Sequence, residues 1–221
     1  MGPRRVLTGR VVMGTMRMRL KWIALVALAL SAWAGAQKTT AVGIPSADFN
    51  FASAVQLKTD WCWAASVQMV LNWYHIPVKQ TDVVGRIYGK PVDKAASEDE
   101  ITVALSGTAY DRDHHKVLLR AKRIRGVPPT DLLVDELERQ RPVLLTIRST
   151  RTMLHAVVLT SAEYEVNKEG HIHVTSLTYR DPNPSIKSRK PATAIQLSGA
   201  ELGHFVRSIS SYYLVSMKKS A

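Results

Sequence analysis

At 221 residues with 46% apolar side chains, the chain suits one domain, or two small lobes sharing a cleft, and is too apolar to be a disordered polymer. Its formal charge of +12 is unevenly spread: six of the 30 basic residues (Arg4, Arg5, Arg10, Arg17, Arg19 and Lys21) precede residue 37, where no acidic residue falls, leaving 24 basic against 18 acidic residues, a net +6. That excess makes no case for nucleic acid as a partner.

In chain order, residues 1–36 read as a secretory signal. Arg17, Arg19 and Lys21 form a basic flank, an apolar run extends from Trp22 to Leu30 and on to Ala34, and Ala34-Gly35-Ala36 has the small-residue form of a cleavage site. The run gives out among small residues before the roughly 20 apolar positions of a membrane span. A secreted or periplasmic protein with no stable membrane insertion after cleavage is expected, with Met13, Met16 and Met18 as further candidate start sites. Gln37 to Val55 shows no periodicity and reads as an extended surface segment.

The pattern sharpens at Trp61. Trp63, Val67, Val70, Leu71 and Tyr74 recur at the spacing of one buried helical face, which predicts a helix capped by Thr59 or Asp60 and ended by Pro77. Residues 78–92 suit a short helix and loop. Ser97-Glu98-Asp99-Glu100 is a capping box opening a helix that stops by Gly107. Tyr110 to Arg125 is basic, with a strand expected at Val117 to Leu119, and Thr130 is expected to cap a helix over Asp131 to Gln140. After Pro142 the grammar is β: strands are predicted at Val143–Arg148, Ala156–Val166, His171–Arg180 and Tyr212–Met217, a hairpin turn at Asn167 to Gly170, and a short helix over Ser198 to Val206. The expectation is an α+β fold in which residues 37–141 form a mainly helical lobe and residues 142–221 a mainly β lobe.

Cys62 is the single cysteine. An exported chain that keeps one thiol holds it paired to another chain, inert in the core, or reactive. Cys62 falls in the first turn of the predicted helix, where unpaired N–H groups and the helix dipole favour a thiolate. Gln56, six residues earlier, offers a side-chain amide that, with the Cys62 backbone N–H, suits an oxyanion developing during acyl transfer.

Gln56, Cys62 and the run Trp61-Cys62-Trp63-Ala64-Ala65-Ser66 resemble the nucleophile region of papain-like cysteine peptidases. The likeness is greatest to the small bacterial branch, which includes secreted effector peptidases of plant pathogens and bacteriocin-leader peptidases. The run differs from papain's Cys-Gly-Ser-Cys-Trp, and the strong resemblance covers about 15 residues. It implies a papain-like fold with the Cys helix packed on an antiparallel sheet, a protein or peptide substrate, and no metal or organic cofactor. It also implies a downstream histidine on a strand and an Asp or Asn to orient it. His155, opening Leu154-His155-Ala156-Val157-Val158-Leu159, fits the first. Asp181, in Tyr179-Arg180-Asp181-Pro182-Asn183-Pro184, fits the second, with Asn183 as the fallback orienter. The implied roles are Cys62 as nucleophile, His155 as general base and then acid, Asp181 as orienter and Gln56 as oxyanion donor.

Two other readings keep part of this scheme. A transglutaminase-like enzyme or glutamine deamidase would use the same triad for acyl transfer, though its histidine usually lies nearer its cysteine than the 93 residues separating Cys62 and His155. A secreted binding module would keep the fold without turnover. His171 and His173 share one strand face, but no third metal ligand accompanies them in the sequence. His114 and His115, among Arg112, Lys116, Arg120, Lys122, Arg123 and Arg125, read as a solvated basic surface. The sequence gives no oligomeric state.

Overall fold

The computed structural model describes residue 2 and residues 38–150, 153–183 and 194–219. The secretory signal expected over residues 1–36 lies outside the described residues, Gly2 apart. Among the described residues, eight strands form one antiparallel sheet: β1 (Thr40–Gly43), β2 (Gly107–Tyr110), β3 (Lys116–Arg125), β4 (Val143–Arg148), β5 (Leu154–Val166), β6 (Ile172–Arg180), β7 (Ala194–Ser198) and β8 (Ile209–Lys219). Their order is β2-β3-β8-β4-β5-β6-β7, with β1 also paired to β5. The helices are α1 (Ser46–Phe49), α2 (Cys62–Trp73), α3 (Gln80–Tyr88), α4 (Glu98–Ala104), α5 (Thr130–Glu138) and α6 (Gly199–Ser208).

Side-chain alternation along β5 divides the interior into two cores. Ala156 and Val158 join Trp63, Val67 and Val70 of α2, whereas Val157, Leu159 and Ala162 join Leu133 and Leu137 of α5 and Leu202 and Phe205 of α6. Helices therefore cover both faces of the sheet, and α2 packs against its central strands.

The α2 helix forms where the spacing predicts, but its burial is wider than one face. Ala64, Ala65, Ser66 and Met69 are buried along with Trp63, Val67, Val70 and Leu71. The small residues Ala64, Ala65 and Ser66 let neighbouring chain come close where larger side chains would hold it off. Neither Thr59 nor Asp60 caps the helix. Trp61 is the N-cap, without a side-chain bond, and the Asp60 N–H donates to Asp93 Oδ1 at 3.0 Å. The tethering comes instead from the indoles, Trp61 Nε1 donating to Val92 O at 2.8 Å and Trp63 Nε1 to Lys94 O at 3.1 Å. At the other end His75 adopts φ 61°, and its left-handed turn closes the helix before Pro77.

The capping box of α4 is present as read, Glu100 N donating to Ser97 Oγ and Ser97 N to Glu100 Oε2. The hairpin turn before β6 also forms, with Gly170 at φ 84°. Other expectations need correction. Residues 38–55 are not an extended surface segment: β1 pairs with Ser161–Tyr164 of β5, and Ile44, Phe49 and Ala52 are fully buried. The first half carries five helices, as expected, but it also supplies β1, β2 and the ten-residue β3, so the sheet is not confined to residues 142–221. Thr130 is the first residue of α5, not its cap, and Gly107 opens β2, two residues beyond the Leu105 cap of α4.

Candidate active site

Three chain segments converge at the Cys62 end of α2. Antiparallel pairing of β5 with β6 sets Val158 opposite Arg180, so the residue after β6, Asp181, emerges beside the start of β5, where His155 is the second residue. His155 Nε2 lies 2.7 Å from Asp181 Oδ1. Cys62 is close enough to the same imidazole to raise its proton affinity, and with Nε2 turned to the carboxylate, Nδ1 is the ring nitrogen left to face the sulfur. The imidazole and the carboxylate retain 17% and 25% side-chain exposure, and Cys62 is half-buried, so all three are sheltered yet reachable.

The environment of His155 strongly favours its charged form. Burial lowers its proton affinity, but the hydrogen bonds to Asp181 and Cys62 and the negative charge on both outweigh burial and push its pKa up to about 9. Asn183 does not compete for the ring. Its backbone N–H donates to Asp181 Oδ1 at 2.8 Å, the oxygen that meets His155, and so braces the carboxylate.

Gln56 stands in the turn leading into α2. Its backbone N–H donates to Pro182 O at 2.9 Å, joining this turn to the residue after Asp181. Its side-chain Nε2 donates to Lys58 O at 3.0 Å and Thr59 O at 2.7 Å, so both amide hydrogens rest on carbonyls of the same turn. Donating to a substrate would require one of these bonds to be exchanged. The N–H groups of the first turn of α2, by contrast, have no intrahelical acceptor.

Sequence reading passed over Ser66. It lies one turn along α2 from Cys62, is fully buried, and donates its hydroxyl to Ala156 O at 3.0 Å. The helix that carries Cys62 is thereby joined to the residue adjoining His155. The available signal was the i, i+4 spacing from Cys62, which puts both side chains on one helical face. Gln80 was also missed, and nothing local to its sequence marks it.

Residues 45–196, which span Gln56, Cys62, His155 and Asp181, match the family model described as papain-like cysteine protease AvrRpt2. The chain belongs to this family of papain-like cysteine proteases. It is accordingly a cysteine peptidase with the α+β fold of that class. A solved structure, the peptidase domain of Streptococcus ComA, described as a bifunctional ABC transporter involved in a quorum-sensing pathway, is similar with a TM-score of 0.50 at 13% identity, over 77% of this chain and 99% of that one. A recombinant stem bromelain precursor is similar with a TM-score of 0.40 at 12% identity, over 94% of each chain. No curated protein matches the sequence.

The remaining candidates fall outside this site. Among the described residues, Asp111, Asp113 and His115 bring potential ligand atoms within 4.8 Å of one another, but the Asp111 carboxylate accepts from the N–H groups of Asp113 and His115 and pairs with Lys219 at 3.4 Å. These bonds account for it as a turn residue between β2 and β3. His171 and His173 belong to no such group among the described residues. The basic stretch is dispersed, with Arg123 paired to Glu98 and Asp99 and Arg112 over the Phe51 ring, while Lys116, Arg120 and Lys122 face solvent.

Proposed function

We propose that this cysteine peptidase is exported and hydrolyses peptide bonds through an acyl-enzyme on Cys62, with His155 as base. The observation that carries the assignment is the single imidazole held between Cys62 and Asp181, 2.7 Å from the carboxylate. As the one cysteine in the sequence, Cys62 has no rival for the nucleophile.

In this reading His155 takes the thiol proton, and Cys62 Sγ attacks the scissile carbonyl carbon. A C–S bond forms, and the carbonyl oxygen becomes an oxyanion facing the first turn of α2 and the Gln56 amide, after a Gln56 hydrogen is released from its turn. His155 then gives its proton to the leaving nitrogen as the C–N bond breaks. Its raised proton affinity suits it to hold that proton beside Cys62 until then, and Asp181 keeps Nε2 occupied so that Nδ1 faces the reaction. Water, deprotonated by His155, hydrolyses the thioester.

The basic flank, apolar run and Ala34-Gly35-Ala36 support export through residues 1–36 with cleavage before Gln37. Among the described residues no helix is long and apolar enough to cross a membrane. The test is proteomic mapping of new N-termini after exposing extracts to the wild type and to Cys62→Ala. Cleavage sites produced by the wild type alone support hydrolysis; ammonia release from glutamine without new termini would replace hydrolysis with deamidation. N-terminal sequencing of the mature protein checks export, with Gln37 as the expected first residue.

A further inference from the structure

Gln80, the first residue of α3, is a polar side chain only 3% exposed, and nothing in the reaction as described uses it. Its carboxamide makes three bonds. Oε1 accepts the Leu57 N–H at 2.9 Å, and Nε2 donates to Val55 O at 2.9 Å and to Gln68 Oε1 at 3.0 Å. Val55 and Leu57 flank Gln56, and Gln68 lies on the nucleophile helix. One amide thus accepts from and donates to the backbone on either side of Gln56, as a neighbouring strand would, and anchors that backbone to α2.

We infer that Gln80 is a positioning residue that sets the Gln56 amide relative to Cys62 by clamping the backbone on both sides of Gln56 to the nucleophile helix. The inference rests on the proposed oxyanion role of Gln56. The Pro182 carbonyl holds the Gln56 N–H from the other side, so the residue is fixed from both directions while its side chain keeps the freedom to exchange acceptors. The Gln80 carboxamide is itself nearly closed to solvent, so removing it leaves the Val55 carbonyl and the Leu57 N–H to find new partners at a part-buried site. A displacement of about 1 Å in such a group can cost roughly 10²-fold in rate.

The experiment is a double-mutant cycle on the best-cleaved member of a quenched-fluorescent peptide library, with active-site concentration fixed by titrating Cys62 with an alkylating agent. Gln56→Ala alone tests the parent role and is expected to lower kcat about 10²- to 10³-fold. Gln80→Ala is expected to lower kcat at least about tenfold with KM little changed, and in the Gln56→Ala background to lower it by about twofold or less. Equal losses in both backgrounds, or no loss in the wild type, overturn the inference while leaving the role of Gln56 intact. Wild-type kcat in Gln56→Ala removes that role and this inference with it. Should Gln80→Ala fail to fold, Gln68→Ala removes the anchor alone and is expected to show the same dependence on Gln56, in smaller degree; additivity there overturns the proposal equally.

Discussion

Ser66 Oγ donates to the carbonyl oxygen of Ala156 at 3.0 Å in a setting closed to solvent. Replacing Ser66 by alanine removes the hydroxyl from a carbonyl that is also inaccessible to water. The expected cost is about 1 to 3 kcal/mol of unfolding free energy. Because Ala156 adjoins His155, kcat is expected to fall as well. Urea denaturation and steady-state kinetics on the same preparation check both, and an unchanged denaturation midpoint would mean that the carbonyl finds another donor.

The raised pKa of His155 predicts how stability depends on pH. The folded protein holds this proton up to about 9, against an ordinary value of 6.5 in the unfolded chain. Between those values the native state binds more protons than the unfolded state, so stability falls with rising pH. The contribution is complete below about 6.5 and is lost as pH climbs through about 9. Thermal unfolding from pH 6 to 10 should show a decline that His155→Gln flattens; identical profiles would refute the assignment.

Asp181 can be separated into its two effects. Asp181→Asn keeps an oxygen able to accept from Nε2 but removes the charge, so the His155 titration should move down from about 9 while the ring stays oriented. Asp181→Ala removes both and is expected to lower kcat by about 10²- to 10⁴-fold, the span typical of a disabled acid-base group. NMR titration of the imidazole alongside kcat distinguishes the variants. Equal kcat for Asp181→Ala and wild type would eliminate Asp181 as the orienter.

Gly43 at the end of β1 has φ +110°, and a Cβ there would lie 2.4 Å from Thr160 O, where β5 carries a register shift. Both the backbone conformation and the contact require glycine. Gly43→Ala should lower stability by about 1 to 3 kcal/mol, the cost of a strained residue. Comparison of chemical denaturation midpoints checks this, and an unchanged midpoint would show that β1 detaches from β5 without consequence.

Much of this arrangement was legible because its signals are local. Periodicity located α2, Ser97 with Glu100 marked the start of α4, and Asn167 to Gly170 marked the turn before β6. His155 and Asp181, named through the family resemblance, lie 26 residues apart, and the hairpin formed by two predicted strands and their turn brings them together. The four residues of β1 carry too short a pattern to read, and their strand character comes from pairing with β5. In β3, Val117 and Leu119 are buried while Lys116 and Arg120 are exposed, but Leu118 and Ala121 blur that alternation. The missing caps of α2 reflect tertiary bonds from Trp61 and Trp63 that no neighbouring residue announces. Gln80 is the extreme case, since its three partners are 12 to 25 residues away and a buried glutamine is spelled like a surface one.

The bond from the Gln56 N–H to Pro182 O belongs to the main chain, so any residue but proline at position 56 can make it. Mutational drift can therefore alter the chemistry presented there without unfastening the seam between the nucleophile side and the histidine side of the site. Together with the Ser66 hydroxyl on Ala156 O, this bond fastens the Cys62 side to the His155 side at two separate points, one through main chain and one through a side chain.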